Sequence, residues 1–291
     1  MYPLYVRRAL VAGAILFGLG CRRSSTSSPI SADPTPRADA SAAPKTSPPT
    51  VKQEKLERHG EVDVTLEWPR IDLGRGTAGE KLSNSIEADA RAEADRIEKA
   101  HHDAVVDDHD AGSPFLASWQ LDLTCVPSLV SHDLVAVVCE GYDFEGGAHG
   151  MPTTTMYVDE IVADAPVPLA IEPIVGTKGL AKLAAATLES LKKEGAPYAL
   201  DGTLDDKKIA AEGYLRTFTL DRSGFTFVFP PYAAGPYAAG QYVVKLSWDA
   251  VAAAADDAKT VARLRAEANE PDAIEQPVED PRDEDDGDAG P

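Results

Sequence analysis

Two adjacent glycines, Gly146 and Gly147, constrain this chain more tightly than any other feature. They follow an apolar run over residues 134–144 (Leu-Val-Ala-Val-Val-Cys-Glu-Gly-Tyr-Asp-Phe) and belong to the hexapeptide Glu145-Gly146-Gly147-Ala148-His149-Gly150. Such a run reads as a buried strand. Paired glycines at its end carry a conformational cost unless the backbone needs positive φ or a close neighbour. The strand must therefore close in a tight, specified loop. Its distant counterpart lies where Gly224-Phe225-Thr226-Phe227-Val228-Phe229 runs into Pro231-Tyr232-Ala233-Ala234-Gly235-Pro236-Tyr237-Ala238-Ala239-Gly240. The second of these two identical pentapeptides leads into a further strand over 241–247.

Residues 62–68 (Val-Asp-Val-Thr-Leu-Glu-Trp) alternate as a strand, which Pro69 is expected to end. Thr77-Ala78-Gly79-Glu80 fits a capping box, and Leu82, Ile86, Ala90, Ala94 and Ile97 follow at helical spacing. Trp119, Leu121, Leu123 and Cys125 share one face of a strand, with residues 126–132 as a hairpin turn into the Leu129–Phe144 stretch. Residues 153–159 make another antiparallel strand. Residues 179–191 form an amphipathic helix with Leu180, Leu183, Leu188 and Leu191 inward, stopped by Gly195. Residues 214–220 and 225–229 pair around Asp221-Arg222-Ser223-Gly224, and the Ala-rich stretch 249–268 reads as one last helix.

These signatures together resemble an envelope domain family of unknown function, the RsiV-like domain. It occurs in the ectodomain of a lysozyme-sensing anti-sigma factor and beside peptidoglycan deacetylase domains. The resemblance covers residues 61–255 and rests on aromatic residues before Gly-Gly-Ala-His-Gly, a helix, Phe-x-Phe, and Pro-Tyr-Ala-Ala-Gly before a closing strand. Leu82-Ser83-Asn84-Ser85-Ile86 is similar to the pattern that opens the family's first helix, and Asp159 or Asp164 corresponds to its later Asp. The family has one Pro-Tyr-Ala-Ala-Gly; here a second copy precedes it. The resemblance implies an α+β fold, antiparallel strands with helices packed on one side, over residues 61–268. Two subdomains dividing near 113–145 are an alternative. It also implies a binding surface at Gly146, Gly147, His149, Tyr232 and Tyr237.

The ends of the chain read differently. Arg7-Arg8 precede an apolar run over 9–19, too short to span a bilayer and built like a signal peptide. It closes in Phe17-Gly18-Leu19-Gly20-Cys21, which resembles a bacterial lipobox and implies a signal over 1–21 with lipidation at Cys21. An ordinary secreted protein is the alternative. Residues 22–60 begin in Ser, Thr, Pro and Ala and read as a disordered tether. Residues 269–291 are an acidic tail. With Cys21 assigned to lipid, Cys125 and Cys139 remain as a disulfide candidate in an exported chain, two buried thiols being the alternative.

The 291 residues carry 28 basic and 48 acidic side chains, a net charge of −20. That balance excludes nucleic acid and anionic lipid as partners, membrane contact being through the anchor only, and favours a cationic protein if there is a partner. Solubility alone is the plainer account.

No nucleophile elbow, P-loop, dinucleotide fingerprint or His-Glu-x-x-His occurs. The deacetylase-linked relatives carry catalysis in a separate domain, and no Thr-Phe-Asp-Asp-Gly-like stretch is present. No catalytic residue, metal ligand or cofactor is therefore assigned. His101-His102-Asp103 and Asp107-Asp108-His109-Asp110 gather ligand-type side chains, but at the end of a helix, where solvated polar residues are ordinary. His149 would need Asp143, Glu145 or Asp159 to act as a general base; alternatively it locks the loop by hydrogen bonding. Tyr232 and Tyr237 suit a binding surface, while the Ala-Ala-Gly between them suits tight packing.

Two functions follow from the resemblance: a non-enzymatic binder of a cationic envelope protein such as lysozyme, or a module that binds or modifies peptidoglycan or another glycan. A structural lipoprotein is a third. All three place the chain on the bacterial envelope, lipid-anchored at the periplasmic face or the outer membrane.

Overall fold

The computed structural model describes residues 47–107, 118–276 and 278, all within one compact unit, Pro44–Pro291. The expected signal over 1–21, Cys21, most of the tether, His109 and Asp110, and residues 279–291 of the acidic tail lie outside the described residues.

The framework is a seven-stranded sheet, ordered β1 (Thr50–Arg58), β2 (Val62–Asp72), β3 (Trp119–Val130), β4 (Leu134–Phe144), β5 (Met151–Val162) and β6 (Ala165–Pro168), with β10 (Ile274–Glu275) also paired to β3. Helix α1 (Ala78–Asp107) crosses from β2 to β3, and that long crossover lets the two strands run parallel, Val62 opposite Trp119. The remaining pairs are antiparallel.

β4 alternates apolar residues on both its faces, and this decides the layers. Val135, Val137 and Cys139 join α1, through Leu82, Ile86, Ala90, Ala94 and Ile97, in one core. Leu134 and Ala136, pointing the other way, join a second core. It contains α2 (Ile171–Val175), α3 (Thr177–Lys193), α4 (Pro197–Leu200), α5 (Asp206–Ala211), α6 (Trp248–Ala254) and α7 (Ala258–Ala268). A smaller antiparallel sheet, β7 (Phe218–Leu220), β8 (Gly224–Phe229) and β9 (Tyr242–Ser247), supplies Phe218, Phe225, Phe227 and Phe229 to it. The class is α+β, as expected. It differs from expectation in one parallel pair and in carrying helices on both faces of the sheet.

Several boundaries move for identifiable reasons. The chain becomes strand at Thr50, inside the stretch expected as tether, because β1 is an edge strand whose charges hide its pattern. Lys55 pairs with Glu67 at 3.2 Å and Arg70 with Glu54 at 2.9 Å across β1 and β2, the composition that protects an exposed edge. Pro69 does not end β2. It stands beyond Glu67, the last β2 residue paired with β3, where β2 is bonded on one side only and a missing N–H is tolerated. β3 runs on past Cys125 to Val130 with an irregularity at Pro127–Leu129, so the hairpin turn is Ser131–Asp133. Residues 214–216 are a 3-10 turn, and the expected last helix is two, α6 and α7. Part of the expected acidic tail is ordered as β10, and Val278 is buried.

Cys125 and Cys139 lie directly opposite in the β3–β4 register and are disulfide-bonded.

Candidate functional site

β4 ends at Phe144 and β5 begins at Met151, so Glu145–Gly150 is a loop at one end of the sheet. Gly146 and Gly147 take φ of 83° and 98°, the left-handed region that side chains resist. Gly150 is needed for a different reason. A Cβ there would lie 2.5 Å from the Tyr142 ring and 2.7 Å from the Asp143 carbonyl oxygen.

That close approach holds a small aromatic cluster. Gly150 N–H donates to Tyr142 Oη at 3.0 Å, and the Gly150 carbonyl accepts from Tyr237 Oη at 2.7 Å. His149 Nδ1 lies 3.2 Å from the same carbonyl, which can only accept, so the imidazole donates from Nδ1. The His149 ring stacks on Tyr237, centroids 3.9 Å apart and planes 21° from parallel. Tyr232 stands 5.8 Å from Tyr237, tilted by 40°. The loop and the pentapeptide stretch, separated in sequence by 87 residues between Gly150 and Tyr237, thus form one surface.

The two pentapeptide copies do different work. In the first, Ala233 and Ala234 are buried, and Ala234 accepts from Tyr198 N–H at 3.0 Å, seating α4. Tyr232 itself is 55% exposed and holds φ of +70°. A bulky side chain in that region is strained. In the second copy Tyr237–Ala239 forms a 3-10 turn, which aims Tyr237 at the loop. The alanines of the first copy therefore pack, those of the second stay half-buried or exposed, and both tyrosines reach the surface.

The sequence reading missed Tyr142, which is 39% exposed and bonded to Gly150. Strand parity would have found it: residues 134, 136, 138, 140 and 142 share the face on which the pentapeptides lie. Glu140 is on this face too. Although the residue is exposed, partial desolvation of its carboxyl pushes it above the usual range, opposed by a hydrogen bond with Gln241.

The carboxylates proposed to serve His149 are engaged elsewhere. Asp143 and Glu145 pair with Arg96 of α1, and Asp159 is buried far along β5, opposite Val135. His101 is buried edge-on against Trp119, at 5.1 Å. Among the described residues no group of three His, Cys, Asp or Glu side chains is arranged to hold a metal, and no helix is long and apolar enough to cross a membrane. A shallow cleft of about 520 Å³ between α6 and α7, lined by Trp248, Val261, Arg222 and Arg265, contains none of the sequence-predicted residues.

What these elements define is an α+β domain in which a glycine-rich strand-end loop and a Pro-Tyr-Ala-Ala-Gly turn together build an aromatic surface. Residues 175–249, from the end of α2 into α6, match a domain family described as "Protein of unknown function (DUF3298)". The chain is similar in fold to the crystal structure of a DUF3298 family member from Bacteroides fragilis: TM-score 0.53, 14% identity, covering 77% of this chain and all of that one. A DUF3298 family protein from Pseudomonas aeruginosa aligns with TM-score 0.43 and 16% identity over 72% of this chain and 94% of its own. No match was found among curated proteins.

Proposed function

We propose that this chain is a lipid-anchored protein of the bacterial envelope whose RsiV-like domain binds, without catalysis, a cationic lysozyme-type protein. The surface is the Tyr142, His149, Tyr232 and Tyr237 cluster. The observation that carries the reading is Tyr232: an aromatic side chain more than half exposed on a backbone in the left-handed region. Strain of that kind, of order 1–3 kcal/mol, persists where function retains it, and exposed tyrosines are frequent anchors of protein interfaces. The net charge of −20 would steer a basic partner toward the domain. The anchor follows from the lipobox resemblance at Cys21.

The test is titration of the chain from Ser47 to Val278, which keeps β1 and β10, against hen egg-white lysozyme at low and physiological salt. One-to-one binding that survives physiological salt and falls at least about tenfold in Tyr232→Ala or Tyr237→Ala is expected for a protein anchor of this type. Binding confined to low salt and indifferent to the tyrosines would reduce the attraction to bulk charge and end the reading.

A glycan ligand is the second reading, favoured by the exposed His149 ring stacked on Tyr237 beside Gly147, where no atom comes within 4 Å of a Cβ position. Purified peptidoglycan as the titrant separates the two, because stacking on its neutral sugar rings changes far less with ionic strength than attraction to a basic protein.

A further inference from the structure

Three carboxylates converge on one guanidinium where β4 meets the loop. Arg96 donates from Nε to Glu93 Oε1 at 2.8 Å, from Nη2 to Asp143 Oδ2 at 2.5 Å and from Nη1 to Glu145 Oε1 at 2.5 Å. Asp143 shares the α1-facing side of β4 with Cys139, whereas Tyr142 points to the opposite side, toward the aromatic cluster. Arg96 therefore grips the start of the loop from α1 while Tyr237 holds its end from the other face of the sheet. One cation among three anions is a sparse balance. Asp143 Oδ1 is buried and has no hydrogen-bond partner among the described residues. Burial, and then repulsion from Glu145, push Asp143 up to about 6 despite the attraction of Arg96, and Glu93 adds to the push. Its strand neighbours, Leu121 on β3 and Met151 on β5, carry no charge. Glu93, Glu145 and Arg96 are thus the charged groups that face it.

We propose that Arg96 is the positioning residue of the His149–Tyr237 surface, holding together three carboxylates that would otherwise drive the loop away from the end of the sheet. The functional weight of this inference rests on reading that surface as the binding site. Its test, however, follows the loop and uses no ligand.

The distinguishing signature is rescue by acid. With the guanidinium removed, ionised Glu93, Asp143 and Glu145 repel one another; protonating Asp143, the carboxyl pushed up to about 6, removes its share of the repulsion without restoring the guanidinium. In the full chain, Arg96→Gln at pH 7.5 is expected to lose the upfield shift that stacking on Tyr237 gives the His149 ring protons. The exchange protection of Gly150 N–H, taken relative to its intrinsic rate, should fall about tenfold. Both should return at pH 5, with Tyr237→Leu as the unstacked reference at each pH. Adding Asp143→Asn and Glu145→Gln to Arg96→Gln should restore both at pH 7.5, and Arg96→Lys should retain most of the stacking. A loop that stays stacked in Arg96→Gln at pH 7.5 overturns the proposal, as does one that neither acid nor the neutral pair regains. If Arg96→Gln does not fold, the triple variant decides. Recovery of fold and stacking supports the proposal, and failure to recover them overturns it. Absence of lysozyme binding by the wild-type chain would count against the proposed ligand and leave this readout intact.

Discussion

Tyr232 separates what the surface needs for folding from what it needs for recognition. Its φ of +70° suits glycine, and its ring is more than half exposed. Tyr232→Gly should therefore relieve about 1 kcal/mol of backbone strain and forfeit a similar amount through the freer unfolded chain. Stability by urea denaturation should stay within about 1 kcal/mol of wild type. Binding of lysozyme, if Tyr232 anchors it, should weaken by about tenfold or more. A variant that unfolds readily would show instead that Tyr232 is held for packing. Tyr237 is the opposite case, since it donates to Gly150, stacks on His149 and meets Tyr232. Its loss would disturb loop and surface together, which makes it the poorer single probe of recognition.

Among the elements, the β3–β4 hairpin and α1 carry the clearest stability arguments. The Cys125–Cys139 bridge closes a separation of 14 residues between buried central strands. Cross-linking a loop of that size contributes about 3 kcal/mol. The double variant Cys125→Ala/Cys139→Ala should lose about that much in urea denaturation, and reductant should destabilise only the wild type. α1 is capped in an unexpected way. Thr77 N–H and Ala78 N–H donate to Asp164 Oδ1, and Thr77 Oγ1 donates to Asp164 Oδ2, from the β5–β6 turn 87 residues away. The bonds from Thr77, backbone and then side chain, hold the Asp164 carboxyl below its usual range. Stability from a lowered carboxyl is present above the unfolded value, near pH 4, and is lost as pH falls through the folded one. Asp164→Gly keeps the positive φ of the turn but removes the cap. Its melting temperature should fall below wild type at pH 7, and the gap should close toward pH 2. A gap independent of pH would mean that the cap is not electrostatic.

That cap also shows where the sequence could and could not be read. Local patterns were legible: the apolar run of β4, the Phe225–Phe229 strand, the Leu183–Leu191 face of α3 and the Gly195 stop. So was the pairing of loop and pentapeptides as the chain's two linked features. The capping box at Thr77–Glu80 marked the right place with the wrong partner, because an Asx side chain from a distant turn leaves no local trace. β1 was hidden by the charges that protect its edge, and the parallel β2–β3 pair by a crossover whose direction only the packing of α1 fixes. Arg96 carries no local signal of its role; only the β4 register brings Asp143 and Glu145 to it.

At the scale of the whole molecule, the two ends of β4 would separate the proposed attachment from the proposed recognition surface. At the Ser131–Asp133 turn, buried His132 sits between Ser47, where the described chain begins, and Glu270 beyond α7, with Nε2 3.2 Å from the Ser47 carbonyl and Nδ1 3.1 Å from Glu270 Oε2. The aromatic surface lies at the other end, past Phe144. An 11-residue strand spans about 36 Å, so a chain tethered through its N-terminal side holds the surface at the end remote from the attachment. Residues 279–291 carry seven acidic side chains and one arginine, so deleting them takes the net charge from −20 to −14. If the aromatic surface makes the contact, these charges act on a partner only through the long-range field, which salt screens beyond about 8–10 Å. The deletion should therefore slow lysozyme association at low salt and leave the Kd at physiological salt within about twofold of the intact chain. Stopped-flow association and equilibrium titration on the two chains test this directly. A large loss of affinity at physiological salt would move the recognition from the aromatic surface to the tail.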